Sequence, residues 1–321
     1  MTKARILADY VAGGTTAAEF DYLDGLTSAA VGINDTQTLT NKTLTSPAFT
    51  GTPTGVHLAR NGELIVERAS TTTVDIDADI LTLYDSSNVG VILGTAGIAS
   101  SINLTLDEVN DTSGTGSNGV LGLDTGNFAN STWYHLYVIY NGSAVSCVAS
   151  LAQNWISTTN DGSAGTTKGV DKTNISGYTY GKYVGAVYRN GLAQFDPFWQ
   201  KGNDVICNNT LFSSTVFTTS WVERDLSAYV PQTASKVRGE IRGVKTSGTS
   251  INISISANAG SGQGLDSQIC YHYGQTSHSS LQVAGPFNVR MLTPQKVYVK
   301  TIYTITSNDS YMAGWSYNNI V

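Results

Sequence analysis

Charge is scarce in this chain of 321 residues. Asp, Glu, Lys and Arg make up 13% of it, about half of the ~25% usual in soluble domains. Those present sum to a net −6. That balance argues against nucleic acid and anionic membrane as partners, because both require a basic face. Cysteine is scarce too: Cys147, Cys207 and Cys270 are far apart and odd in number. A disulfide framework is not expected, and the composition suits synthesis in a reducing cytosol. No apolar run approaches the ~20 residues of a membrane-spanning helix, so no membrane insertion is expected. The opening "MTKARILADYVAGG" lacks the apolar core of a secretory signal. Triplets such as Asn130-Ser131-Thr132 arise by chance in a chain so rich in Asn, Ser and Thr, and no glycosylation is read from them.

Glycine, serine, threonine and asparagine fill the space left by charge. With 40% apolar residues a core can still be buried, and wholesale disorder is not expected. Hydroxyls and amides carry the polarity, which suits strands, turns and surfaces that meet polar polymers.

Helical signals are confined to residues 15–31. Thr16-Ala17-Ala18-Glu19 fits a capping box, and Asp24-Gly25 supplies a stop. Phe20, Leu23, Thr27 and Ala30 step by three and four, as in a short coiled-coil seam. Two turns do not hold alone in water, so several copies of the chain are expected to meet there. Residues 32–56 follow with Leu39, Leu44 and Phe49 five apart. That step fits neither a helix nor a flat strand. An extended chain with kinks at Asn41-Lys42 and Ser46-Pro47 brings one apolar residue to a common axis every ~16 Å. Three interwound chains cover such an axis, and one does not.

From residue 57 the pattern is β. Val74, Ile76, Ala78 and Ile80 alternate with Asp75, Asp77 and Asp79. "WYHLYVIY" (133–140) is apolar on both faces, and "YVGAVY" (183–188) is a similar run. Val237 and Ile241 alternate with Arg238, Glu240 and Arg242, and "INISIS" and "KVYVKTIYTI" continue the theme. Gly-rich clusters such as "TSGTGSNG" and "NAGSGQG" mark the turns. Many strands with Gly-rich turns indicate sandwiches or barrels.

Several stretches resemble a known family. "TTAAEFDYLDGLTSA" followed by "TQTLTNKTLTSPAFTGTPTG" is similar to the N-terminal half of tailed-phage and prophage tail fibres. "NSTWYHLYVIYNG", "SGYTYGKYVGAVYRNG" and "FDPFWQKGN" resemble a β-domain that recurs in such fibres. So do "DLSAYVPQTASKVRGEIRG", "LTPQKVYVK" and "AGWSYNN". A run at Ser157–Asn174 looks like an insertion. The resemblance implies a parallel homotrimer, synthesis in the bacterial host cytoplasm and a virion location, an N-terminus held by a tail or baseplate protein, and a distal head that meets the host surface.

Candidate chemistry is sparse. Asp75-x-Asp77-x-Asp79 has the spacing that opens a calcium loop, but Ile80 and Ser86 stand where Gly and Glu are needed. A solvated strand face is expected instead. Cys270 and His272 share strand parity, with His278 nearby. They are weak metal candidates, and a core thiol beside a surface histidine is preferred. His57 and His135 complete the four histidines, none in a catalytic motif. Glu67, Glu108, Glu223 and Glu240 are scattered, where a glycosidase sets two carboxylates face to face. No enzyme activity and no cofactor are expected. Tyr311, Trp315 and Tyr317 share one face of a flat final strand and are receptor-binding candidates. Core or subunit-interface packing is the preferred reading for each.

The expected architecture is mostly β. A virion-attachment segment spans 1–14, a short helical trimerisation segment 15–31, and an extended interwound trimeric shaft 32–56. Two antiparallel β-sandwich-like domains follow at 57–202 and 203–321. Phe20, Leu23, Leu39, Leu44 and Phe49 are placed on the trimer axis. The expected function is attachment of the virion to a host surface glycan or outer-membrane component. A structural connector or short fibre is the first alternative, and a polysaccharide-degrading tail enzyme the second.

Overall fold

The computed structural model describes residues 63–94, 102–109, 119–155, 159–213, 218–245, 250–258, 268–273, 281–301 and 307–317. The expected helix and shaft, with Phe20, Leu23, Leu39, Leu44 and Phe49, lie outside these residues. Twenty strands and no α-helix occur among the described residues. In chain order they begin with β1 (Leu64–Arg68), β2 (Thr73–Ala78), β3 (Leu81–Tyr84), β4 (Gly90–Leu93) and β5 (Ile102–Asp107). Then come β6 (Thr132–Tyr140), β7 (Val145–Ser150), β8 (Ala152–Asn154), β9 (Thr159–Asn160) and β10 (Gly165–Gly169). The next group is β11 (Tyr180–Arg189), β12 (Trp199–Lys201), β13 (Asp204–Ser213), β14 (Val222–Asp225) and β15 (Lys236–Lys245). The last are β16 (Ser250–Ser256), β17 (Gln268–Tyr273), β18 (Leu281–Arg290), β19 (Lys296–Thr301) and β20 (Ser307–Ser316).

An antiparallel sheet of eight strands runs in the order β18-β15-β20-β13-β12-β1-β2-β5. Sheets of five (β4-β3-β11-β6-β7) and four (β14-β19-β16-β17) strands are also antiparallel. Period-two alternation explains most of these strands. In β2 the buried positions are Val74, Ile76 and Ala78, and Asp75 and Asp77 point the other way. Each aspartate accepts from its neighbour in β5: Thr105 Oγ1 to Asp75 at 2.7 Å and Asn103 Nδ2 to Asp77 at 2.7 Å. Asp75 and Asp77 are therefore on the outer face of a half-buried strand, and Asp79 follows its end. Pro286 lies in β18, an edge strand, where a sheet tolerates the missing donor.

The sequence places a domain border at 202/203. Gly202 and Asn203 instead turn β12 into β13, which pair through Gln200↔Val205 and Lys201↔Asp204. The eight-stranded sheet passes through that border unbroken. One apolar cluster also joins the halves, containing Leu64 and Val74 with Val237, Val297 and Trp315. Pro53–Val321 forms one compact unit. The two expected halves share a sheet because β1, from the first, and β13, from the second, both pair with β12.

β6 is buried from Tyr134 to Tyr140 without alternation, because both of its faces are covered. Tyr134, Leu136, Val138 and Tyr140 enter the main core. Tyr137 and Ile139 enter a second cluster with Trp155, Val170 and Ile175. Residues on either side of and within the insertion-like run supply that cover, with β8, β9 and β10 forming a small parallel sheet. Trp155 lies directly on the Gly181 backbone, where a Cβ would come within 2.1 Å of the indole. Lys172 Nζ stands 4.4 Å from the ring centre, a cation–π contact.

Candidate functional site

The final strand does not present its aromatics as a flat strand would. Trp315 pairs with Val237 in β15, and Tyr311 pairs with Glu240. The register slips between Arg238 and Gly239, which leaves Ala313 as the extra residue of β20. A bulge of this kind reverses the alternation, so Tyr311 and Trp315 take register positions of opposite parity. Trp315 and Tyr317 are 3% and 4% exposed. Both fill the core, in line with the packing reading and not with the receptor-binding one.

Tyr317 has a structural task. β11 carries a bulge at Val184, between Tyr183 and Gly185. Bulges leave backbone groups unpaired, and here two side chains satisfy them. Ala186 N donates to Tyr317 Oη at 3.1 Å, and Gln200 Nε2 donates to the Val184 carbonyl at 2.7 Å. Tyr317 also meets Tyr183 edge-on with ring centres 5.9 Å apart. Tyr317→Phe is expected to orphan the buried Ala186 N–H and to cost about 1–3 kcal/mol. A thermal melt that matches wild type would rule out this role.

Trp315 takes part in an aromatic cleft. Trp133 of β6 and Tyr188 of β11 are cross-strand partners, with ring centres 5.1 Å apart and planes at 45°. Trp315 meets Trp133 at 5.5 Å and 88°. Trp133 Nε1 donates to the Ser227 carbonyl at 2.7 Å, which fixes the ring. Phe198, Pro197 and Asp196 form another wall, and Ala186 and Cys207 complete the lining. The turn before Asp196 is set locally. Asn190 Oδ1 accepts from Leu192 N at 2.9 Å and Gln194 N at 3.2 Å, a side-chain mimic of a backbone turn. Asn190 Nδ2 donates to Asp196 Oδ1 at 2.9 Å, and Asp196 N donates to the Tyr188 carbonyl at 2.9 Å. Asp196 is thereby held beside the rings. Burial pushes the Cys207 thiol up to about 12, with Arg238 opposing and Asp196 assisting. A thiol in that state is no nucleophile.

Trp133, Tyr188, Asp196 and Phe198 were not singled out in the sequence, because they converge from β6, β11 and the loop that follows β11. Of the other candidates, Cys270 and His272 occupy β17, opposite Ile253 and Ile251 of β16, and His278 lies outside the described residues. No group of three or more metal-ligating side chains occurs among the described residues. Three of the four glutamates are bonded structurally. Glu108 pairs with Arg189, Glu223 with Lys296, and Glu240 with Arg242.

A second polar group lies beneath the insertion. Asp124 is 1% exposed. Its Oδ2 accepts from Ser150 Oγ and Asp171 N, each at 2.7 Å, and its Oδ1 from Thr125 N at 2.8 Å. Burial outweighs these bonds and lifts its carboxyl to about 7. His135, the register partner of Ser150, is 3% exposed, and burial lowers it to about 4. Ser150, His135 and Asp124 thus gather on one sheet, but the carboxylate is bonded to the serine instead of orienting the histidine. All three are sealed from solvent, so they hold the insertion down and do not form a nucleophile–base pair that a substrate reaches.

Comparison with protein-family models finds no match for this chain, and comparison with curated protein sequences finds none either.

Proposed function

We propose that this chain is an attachment protein of the tailed-phage tail-fibre type. It joins a tail or baseplate protein through its N-terminus and binds a host surface glycan or outer-membrane component through its β unit. One observation carries the reading. The stretches that bear the resemblance converge on one cleft: Trp133 from "NSTWYHLYVIYNG", Tyr188 from "SGYTYGKYVGAVYRNG", Asp196 and Phe198 from "FDPFWQKGN", and Trp315 from "AGWSYNN". Aromatic faces beside a polar group suit recognition of polymer substituents, and threefold display multiplies weak sites through avidity.

Light scattering on the purified protein is expected to give three times 34.0 kDa. A stable monomer would overturn the fibre reading. The trimer is expected to bind bacterial envelopes from a susceptible host and to lose most binding on Trp133→Ala. A second reading, a structural connector, is favoured by the burial of Trp315 and Tyr317. A folded trimer that binds no envelope would favour it.

A further inference from the structure

We propose that the outer face of the eight-stranded sheet binds an acidic polysaccharide, one whose sugars carry carboxylates. The proposal deepens the attachment reading and rests on it for the source of the polymer, the host surface. The face follows from register. Ile76, Val66, Gln200, Val205, Trp315 and Val237 are successive cross-strand partners, and all are buried. The rows on either side of them therefore point away from the core. One row runs Glu67, Trp199, Ile206, Gly314, Arg238 and Asn288, and the other runs Lys201, Asp204, Ser316, Lys236 and Arg290. Three features lead to the ligand. First, Trp199 and Ile206 are direct partners and stay 37% and 50% exposed. An apolar pair in the middle of a solvated sheet face is a platform for the C–H side of a sugar ring. Second, Lys236 and Arg290 face each other across β15 and β18. Both are exposed, and neither is ion-paired among the described residues. Like charges set directly opposite destabilise a sheet, and a carboxylate between them relieves that repulsion. Arg238 adds to the positive side, crossing Gly314 to reach the Val205 carbonyl at 3.4 Å and Asp204 Oδ1 at 3.5 Å. Third, the charge is one-sided. Glu67, Asp75 and Asp77 lie beyond Trp199, on β1 and β2. They repel a densely charged polymer such as a nucleic acid, with about one charge per 1.7 Å. A polymer with one charge per sugar sets its carboxylates on the basic side and its ring faces on the platform. Trp199 and Arg290 are four strand steps apart, roughly 19 Å at ~4.8 Å per step, so the ligand is several sugars long.

The test uses the full chain, with an oligogalacturonate and its methyl ester as probes in calorimetry. The ester has the same rings without the charge. The acid is expected to bind saturably and the ester at least about fivefold more weakly, with added salt narrowing the gap. Trp199→Ala is expected to weaken both probes about fivefold or more. The double variant Lys236→Gln with Arg290→Gln is expected to bring the acid down to the level of the ester. It should leave the ester unchanged and the melting temperature no lower, because it removes a like-charge pair. Equal affinities of wild type for the two probes, or no saturation by the acid, would overturn the proposal. So would an oligonucleotide of equal length that binds as tightly, and none of these results depends on a variant folding. Light scattering that finds Trp199→Ala in a smaller assembly than wild type would also overturn it, because the face would then be a subunit contact. The attachment reading is tested separately. Envelope binding by the double variant that matches wild type would sink this site and spare that reading. Absence of envelope binding by wild type would sink that reading, and the titration would still decide the chemistry of the face.

Discussion

Replacing Arg189 with methionine is expected to destabilise the β unit by about 3–5 kcal/mol, the usual cost of removing one partner of a buried ion pair. Arg189 Nε donates to Glu108 Oε2 at 2.9 Å, with the side chains 13% and 15% exposed. Nη1 donates to the Phe128 carbonyl at 3.1 Å and to Asn130 Oδ1. One guanidinium thus ties the end of β11 to the residues after β5 and to the loop before β6. Phe128 in turn packs edge-on against Tyr134 and Phe195, at 4.7 and 5.7 Å, so loosening that loop opens the main core. Urea denaturation measures the loss. The double variant Arg189→Met with Glu108→Gln is expected to recover part of it, because the uncompensated charge is gone. A single-variant cost below about 1 kcal/mol would place the pair among surface salt bridges and refute this account.

Asp124→Asn is expected to change how stability varies with pH. Between pH 3.8 and about 7 the folded state keeps a proton on Asp124 that the unfolded state has lost. That group's contribution is present in full below the lower value and is lost as pH rises through the upper one. His135 acts in the opposite sense. Between about 4 and 6.5 the fold holds it neutral while the unfolded chain protonates it, so its contribution grows as pH rises. Each slope reaches about 1.4 kcal/mol per pH unit. In the wild type they oppose each other from about pH 4 to 6.5. The asparagine variant leaves the histidine slope unmatched, so its stability relative to wild type should climb across that window. The substitution also turns an amide N–H₂ toward one of the three bound donors, with an offset of about 1–3 kcal/mol at all pH values. Denaturation midpoints of both proteins across the window decide the matter. Parallel curves would show that Asp124 does not titrate there.

Strand β2 and the long apolar strand β6 were readable in the sequence because their signals are local. Alternating aspartates mark a strand with one wet face, and "WYHLYVIY" marks one covered on both. The shared eight-stranded sheet was not readable, because β12 joins the halves through three residues, Trp199–Lys201, too short to show a period. The reading of Tyr311, Trp315 and Tyr317 as one face failed at Ala313, where the extra residue is defined only by the partner strands. Gly314 shows how tight that pairing is: a Cβ there would stand 1.9 Å from the Val205 carbonyl oxygen. The cleft was half legible. Its aromatics lay in stretches already conspicuous, but Trp133 and Tyr188 meet only because β6 and β11 pair. Asp196 faces them because a turn built on Asn190 aims it.

The bulge in β11 bears on the order in which the chain is made. Ala186 and Tyr317 are 131 residues apart. While the ribosome is still adding the intervening strands, the Ala186 N–H has no side-chain acceptor, and until Gln200 emerges neither has the Val184 carbonyl a donor. The five-stranded sheet is therefore synthesised long before its last fastening exists. Contacts of such separation slow folding, and a fragment released at residue 202 would carry an open seam and the edge strand β12 without its partner β13, an invitation to pair with other chains. The late arrival of Tyr317 thus makes closure of the β11 bulge depend on residues at the far end of the β unit.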